Sequence, residues 1–189
     1  MTVNKEQQVL RLSRELTGQW TLPILLALEK NGGRFTPLQN KLNIAPSRLS
    51  SNLKKMVEDG LLIHLSPAER RHPLLPEYVL TDKGRLYREA ARAVQLSEQQ
   101  IGRGRLSDKV WGLPILLTIG YNHTRFQEIR QSLEGITPRI LSMRLNEFHE
   151  DGLIFKQIKD EPRPTFLYLL EKQVQRPIRQ LSLDLASLV

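Results

Sequence analysis

The chain has 189 residues, with 28 Lys plus Arg against 20 Asp plus Glu, a formal net charge of +8 and a pI near 10. It contains no cysteine, which excludes disulfides, thiolate metal sites and thiol redox sensing. No apolar run approaches the ~20 residues of a membrane-crossing helix, and no signal-peptide core opens the chain, so the expected location is cytoplasmic, without a membrane partner.

The excess of positive charge favours a polyanionic partner, with a merely solvated basic surface as the alternative. It is shared by both halves: residues 1–100 carry 15 cations against 10 anions, and residues 101–189 carry 13 against 10. Neither end is therefore a charged tail.

From Asn4 to Leu16 the spacing of Val9, Leu12 and Leu16 predicts an amphipathic helix. Trp20 to Glu29 reads as the next helix, with Pro23 tolerable in its first turn, and Asn31-Gly32-Gly33 ends it. Pro37 to Leu42 is a short helix anchored by Phe35, Leu38 and Leu42. Pro46 to Asp59 follows, with Leu49, Leu53 and Met56 on one face. That face turns Ser47, Ser51, Lys54 and Lys55 outward and puts Arg48 on the flank. Leu61–Leu65 and Tyr78–Leu80 read as two strands of a hairpin around a proline-rich loop whose tip is Arg70-Arg71-His72. Thr81 caps a long helix to about Gln100. The glycines at 102 and 104 then break it, so the expected domains are 1–101 and 102–189.

The second half follows the same plan. Trp111 to Ile119 and Phe126 to Leu133 are helices, and Thr137 is placed to cap a helix that starts at Pro138 and stops at Gly152. Ile154–Ile158 and Phe166–Leu170 are strands around a shorter tip of mixed charge, residues 159–164. Val174, Ile178, Leu181, Leu185 and Leu188 form a narrow apolar seam that packs either on the N-terminal helix of the same chain or on another subunit.

The correspondence between halves is an internal repeat. Pro46, Leu49, Ser50, Leu53 and Asp59-Gly60-Leu61 match Pro138, Leu141, Ser142, Leu145 and Asp151-Gly152-Leu153 at an offset of 92 residues. Trp20, Leu22-Pro23-Ile24-Leu25-Leu26 and Arg34-Phe35 match Trp111, Leu113-Pro114-Ile115-Leu116-Leu117 and Arg125-Phe126 at an offset of 91, Gly135 being the inserted residue. A period this long implies two similar domains, not a solenoid. A short helix, a longer helix and a strand hairpin are the parts of a winged helix-turn-helix. The expected fold is mainly α with small β-hairpin wings, in two tandem copies.

With these motifs in place the chain resembles the HxlR-type winged helix-turn-helix transcriptional regulators, relatives of the MarR group. The second copy is the closer, through Arg125-Phe126-x-x-Ile129 and Gly135-Ile136-Thr137-x-Arg139-x-Leu141-x-x-Arg144-Leu145-x-x-Phe148. The first departs from the pattern, with Ser47 opposite Arg139 and Asn52 opposite Arg144. The resemblance implies a sequence-specific regulator of double-stranded DNA that works as a homodimer on two-fold sites. A fused pair of domains implies either an intramolecular pseudo-dimer or a dimer with four domains, joined through the N- and C-terminal helices.

The candidate DNA-contacting residues are Ser47, Arg48, Ser51, Lys54 and Lys55 in the first copy, and Arg139, Ser142, Met143, Arg144 and Asn146 in the second. Arginine can read guanine and asparagine adenine, while lysine and serine meet phosphate. Arg70, Arg71 and His72 are candidates for minor-groove or backbone contact from the first wing, a flexible exposed loop being the alternative. Arg34 and Arg125 either meet phosphate or stabilise the start of their helices. The competing readings are an ordinary solvated helix face, a winged-helix protein-interaction module, and DNA binding by only one repeat. No catalytic, cofactor or metal constellation is expected. The four histidines are scattered, and there is no phosphate-binding glycine loop or nucleophile elbow.

Overall fold

A computed structural model describes residues 4–28, 33–160 and 164–189. The chain divides into two compact units. One comprises Gly18–Arg92, and the other the residues through Thr17 together with Ala93–Val189.

In the first of these, α2 (Thr21–Ala27) and α3 (Phe35–Leu42) precede the longer α4 (Pro46–Glu58). Pro23 sits in the first turn of α2, where a missing N–H is harmless. α3 begins two residues earlier than its sequence suggested, with Arg34 at its N-cap. Leu49, Leu53 and Met56 of α4 are buried, as their spacing required. The wing is β2 (Leu62–His64) and β3 (Glu77–Leu80), joined by a short β1 (Gly33–Arg34) into an antiparallel sheet of order β1-β3-β2. Two residues are too few to show a strand pattern, so β1 was not foreseen. The expected stop at Asn31-Gly32 lies outside the described residues.

The long helix α5 (Asp82–Ile101) contains the boundary between the units. Thr81 caps it: its hydroxyl accepts from the Gly84 N–H at 2.9 Å and donates to the Gly60 carbonyl at 2.7 Å. Gly84 is required by the close approach of this helix to the end of α4, because a Cβ there would lie 2.0 Å from the Leu61 carbonyl oxygen.

The second unit contains a 3-10 turn at Leu106–Asp108, α6 (Gly112–Gly120), α7 (Phe126–Ser132), α8 (Pro138–Glu150), the hairpin β4 (Ile154–Lys159) with β5 (Thr165–Leu170), and α9 (Lys172–Ala186). The N-terminal helix α1 (Lys5–Glu15) belongs to this unit and packs on α6 and α9. The seam of α9 (Val174, Ile178, Leu181 and Leu185) is buried, so its intramolecular option is realised. Val9, Leu12 and Leu16 are buried on the facing side of the N-terminal segment. The packing units therefore cut the chain differently from the sequence repeats, because an apolar stripe shows that α1 must be covered without showing by what.

The two copies share the backbone hydrogen bonds that end the longer helix and the returning strand. At the end of α4 the Leu61 N–H donates to the Met56 carbonyl at 2.9 Å and the Gly60 N–H to Val57 at 3.0 Å. At the end of α8 Leu153 donates to Phe148 at 2.8 Å and Gly152 to His149 at 3.2 Å. Gly60 (φ +71) and Gly152 (φ +66) supply the left-handed residue that this helix stop demands. The next strand exit also repeats: Thr81 donates to Leu61 at 3.1 Å and Glu171 to Leu153 at 2.9 Å.

Candidate nucleic-acid interface

α4 and α8 are each amphipathic and thirteen residues long, with one face buried and the other in water. Both start with Pro at the first helical position. In α8 the Thr137 hydroxyl accepts from the Ile140 N–H at 3.2 Å; Ala45, its counterpart before α4, offers no side-chain cap.

On α4, Ser47, Arg48, Ser51, Lys54 and Lys55 are all exposed. The Ser51 hydroxyl donates to the Arg48 carbonyl at 3.0 Å, as does the Asn52 amide at 2.8 Å, so both stay tied to their own helix. Lys54 faces Glu58 at 3.9 Å, an exposed pair that constrains it little. Among the described residues Arg48 and Lys55 have no ion-pair partner.

On α8, Arg139, Ser142, Met143 and Asn146 are exposed, Met143 by 46%. Arg139 has no ion-pair partner among the described residues. The Asn146 side-chain oxygen accepts from Lys156 Nζ of β4 at 2.8 Å, linking helix to wing.

Arg144 is placed differently. Its side chain is only 16% exposed, and its guanidinium lies 2.7 Å from the Glu147 carboxylate. Lys109 meets the same carboxylate at 3.1 Å. The hydrogen bond from Arg144, then that from Lys109, hold Glu147 below the usual carboxylate range, against the opposing effect of burial. Glu147, which replaces the Lys55 of the first copy, is thus the anchor of a three-residue cluster. Nothing in the sequence pointed to this, since Lys109 lies outside the helix.

The first wing is bonded to itself. Arg70 Nε donates to the Leu65 carbonyl at 2.7 Å and Nη1 to Pro73 at 3.3 Å, and Nη2 lies 3.1 Å from His64 Nε2. Arg71 meets Glu77, whose side chain is only 4% exposed, at 2.5 Å, and the Arg71 N–H donates to the same carboxylate at 3.0 Å. These contacts with Arg71 lower the Glu77 pKa. Both arginines thus staple the loop, while His72 is exposed.

Arg34 and Arg125 occupy the N-caps of α3 and α7. Glu128 accepts from the backbone N–H of Thr124 and of Arg125, each at 3.0 Å, and these bonds lower its pKa. Arg125 approaches that carboxylate at 3.5 Å, which places it in the helix start.

Among the described residues no group of three or more His, Asp or Glu could hold a metal ion, and no helix is long and apolar enough to cross a membrane. Two amphipathic helices with exposed polar outer faces, cationic on α4 and of mixed charge on α8, each followed by a wing, are the geometry of major-groove readers. Comparison with known families finds HxlR-like helix-turn-helix twice, over residues 15–102 and 106–181. No curated protein and no solved structure matches the chain significantly. The chain belongs to the HxlR-like helix-turn-helix family, a family of DNA-binding transcription regulators, and carries its domain twice.

Proposed function

We propose that the chain is a sequence-specific regulator of double-stranded DNA that uses both α4 and α8 as recognition helices. The observation that carries this reading is the repeated exposure of cations on the two helices, Arg48, Lys54 and Lys55 on one and Arg139 on the other. Phosphate contacts supply most of the affinity, while Arg139 and Asn146 read base edges in the major groove. Ser47, Ser51, Ser142 and Met143 complete the two surfaces. Arg70, Arg71 and Arg144 contribute by holding their loop or helix in shape. The chain is not an enzyme in this reading, and it acts by occupying its site on the nucleoid. Two chains associate through the outward faces of their N- and C-terminal helices, away from the buried seam, where Leu183 is exposed on α9.

The test is fluorescence anisotropy with a random-sequence duplex across a salt series. Engagement of both helices predicts a log–log slope of about −5 or steeper, corresponding to roughly six or more phosphates. Absence of binding at low salt would overturn the reading.

A further inference from the structure

The second wing carries an exposed apolar pair on its two strands. Ile158 and Phe166 face each other across β4 and β5, and are 59% and 52% exposed. Strand alternation puts them on the same face as Ile154 and Leu170, which pair with each other at the base of the hairpin and are buried. The exposed pair thus lies four residues further out, beyond the core that the same face helps to build. Lys156 is also on this face, and its Nζ reaches Asn146 on the exposed side of α8. The surface therefore runs from the recognition helix, through Lys156, to Ile158 and Phe166. Lys159 follows next in the chain and is exposed, with Asp160 after it.

Two large apolar side chains held side by side in water form a patch whose burial by a partner would be favourable. Together they expose on the order of 200 Å². A stable protein partner needs about 800 Å² per side, so the pair is too small to hold one by itself. It matches a gap between two base pairs: apolar, narrow and flanked by phosphates that complement Lys156 and Lys159. Phe and Ile are among the side chains that wedge between base steps from the minor groove.

We propose that Ile158 and Phe166 form a wedge that enters the minor groove beside the major groove read by α8, unstacks one base step and kinks the duplex. This rests on the reading of α8 as a recognition helix. Flexible TA and CA/TG steps are the sites where such a wedge costs least, so the wing selects sequence without a base-edge hydrogen bond.

The experiment uses the full chain and a duplex that it selects from a random-sequence pool. 2-Aminopurine replaces each adenine in turn on both strands, which covers every TA and CA/TG step, and energy transfer between end labels reads the bend. The expected result is a several-fold rise in fluorescence at one step and a shortened end-to-end distance. Both should be lost in Ile158→Ala/Phe166→Ala, which binds about tenfold more weakly and keeps its melting temperature. Binding with no bright step and no shortening in the native chain would overturn the wedge and leave α8 as a reader. The wedge is equally overturned if the double variant still brightens the step, or if it only converts a dimer to a monomer in sedimentation, which would make the pair a contact between chains. Failure of the native chain to bind any duplex would instead remove the recognition-helix reading itself.

Discussion

Arg139 and Arg144 stand five residues apart on one helix and should respond oppositely to the same substitution. Arg139 is exposed and has no ion-pair partner among the described residues, so Arg139→Gln removes a DNA contact and leaves the fold intact. If it reads guanine bidentately, the loss is about 1–3 kcal/mol of binding, a roughly 5- to 150-fold weaker affinity. A guanine contact should also relax the base preference at one position with the salt slope nearly unchanged, whereas a phosphate contact would lower the slope by about 0.9. Arg144 is held 2.7 Å from Glu147 and is 16% exposed. Arg144→Gln removes one charge-assisted bond from a carboxylate that keeps Lys109. That costs about 1–2 kcal/mol of stability, a melting temperature lower by roughly 2–8 °C for a chain of this size, and less than about a twofold change in affinity well below the new melting temperature. Anisotropy on a selected duplex and thermal denaturation by circular dichroism measure the two effects separately. An Arg144→Gln variant that melts like the native chain and binds as poorly as Arg139→Gln would refute this division of roles, because the guanidinium would then leave Glu147 for DNA.

Three further perturbations have expected outcomes. Lys54→Glu/Lys55→Glu on α4 should reduce the salt slope by about two phosphates' worth, roughly 1.8, and an unchanged slope in the anisotropy series would show that α4 is not in a groove. Gly60→Ala introduces no clash, since nothing lies within 4 Å of the new Cβ, so its cost is the left-handed backbone alone. That is about 1–2 kcal/mol, and a melting temperature unchanged from the native value would contradict the helix stop described here. The Arg71–Glu77 pair makes stability depend on acid: because the folded pKa is depressed, the contribution is complete above the unfolded carboxylate value and disappears as pH falls through the lower folded one. Glu77→Gln should therefore destabilise the chain at neutral pH, and its deficit should shrink below the ordinary carboxylate value of 4.5. Denaturant melts as a function of pH check this, and a deficit that stays constant down to pH 3 would count against it.

The parts of the fold that were legible are those set by neighbours in sequence. Thr137 and Pro138 announce a helix start, Gly60 and Gly152 announce helix stops, and the spacing of Leu49, Leu53 and Met56 fixes which side of α4 meets water. Exposure of the outer faces followed, as did the repeat, because duplicated hydrophobic frames build duplicated cores. What could not be read were partners brought together by the fold. Lys109 lies 38 residues from Glu147, and only tertiary structure shows that it shares this carboxylate with Arg144. Arg70 and Arg71 look like a basic tip, yet Leu65, Pro73 and Glu77 become their partners once the loop closes. The apolar pair on the second wing was hidden for the opposite reason: alternation assigns Ile158 to the core face, but the hairpin extends past the core.

The central claim is that two recognition helices in one chain read DNA. The most direct measurement is protection of guanine N7 from dimethyl sulfate on a selected duplex, which reports major-groove occupancy. Two separate protected segments are expected, one erased by Lys54→Glu/Lys55→Glu and the other by Arg139→Glu. A single protected segment, indifferent to one of these changes, would contradict it.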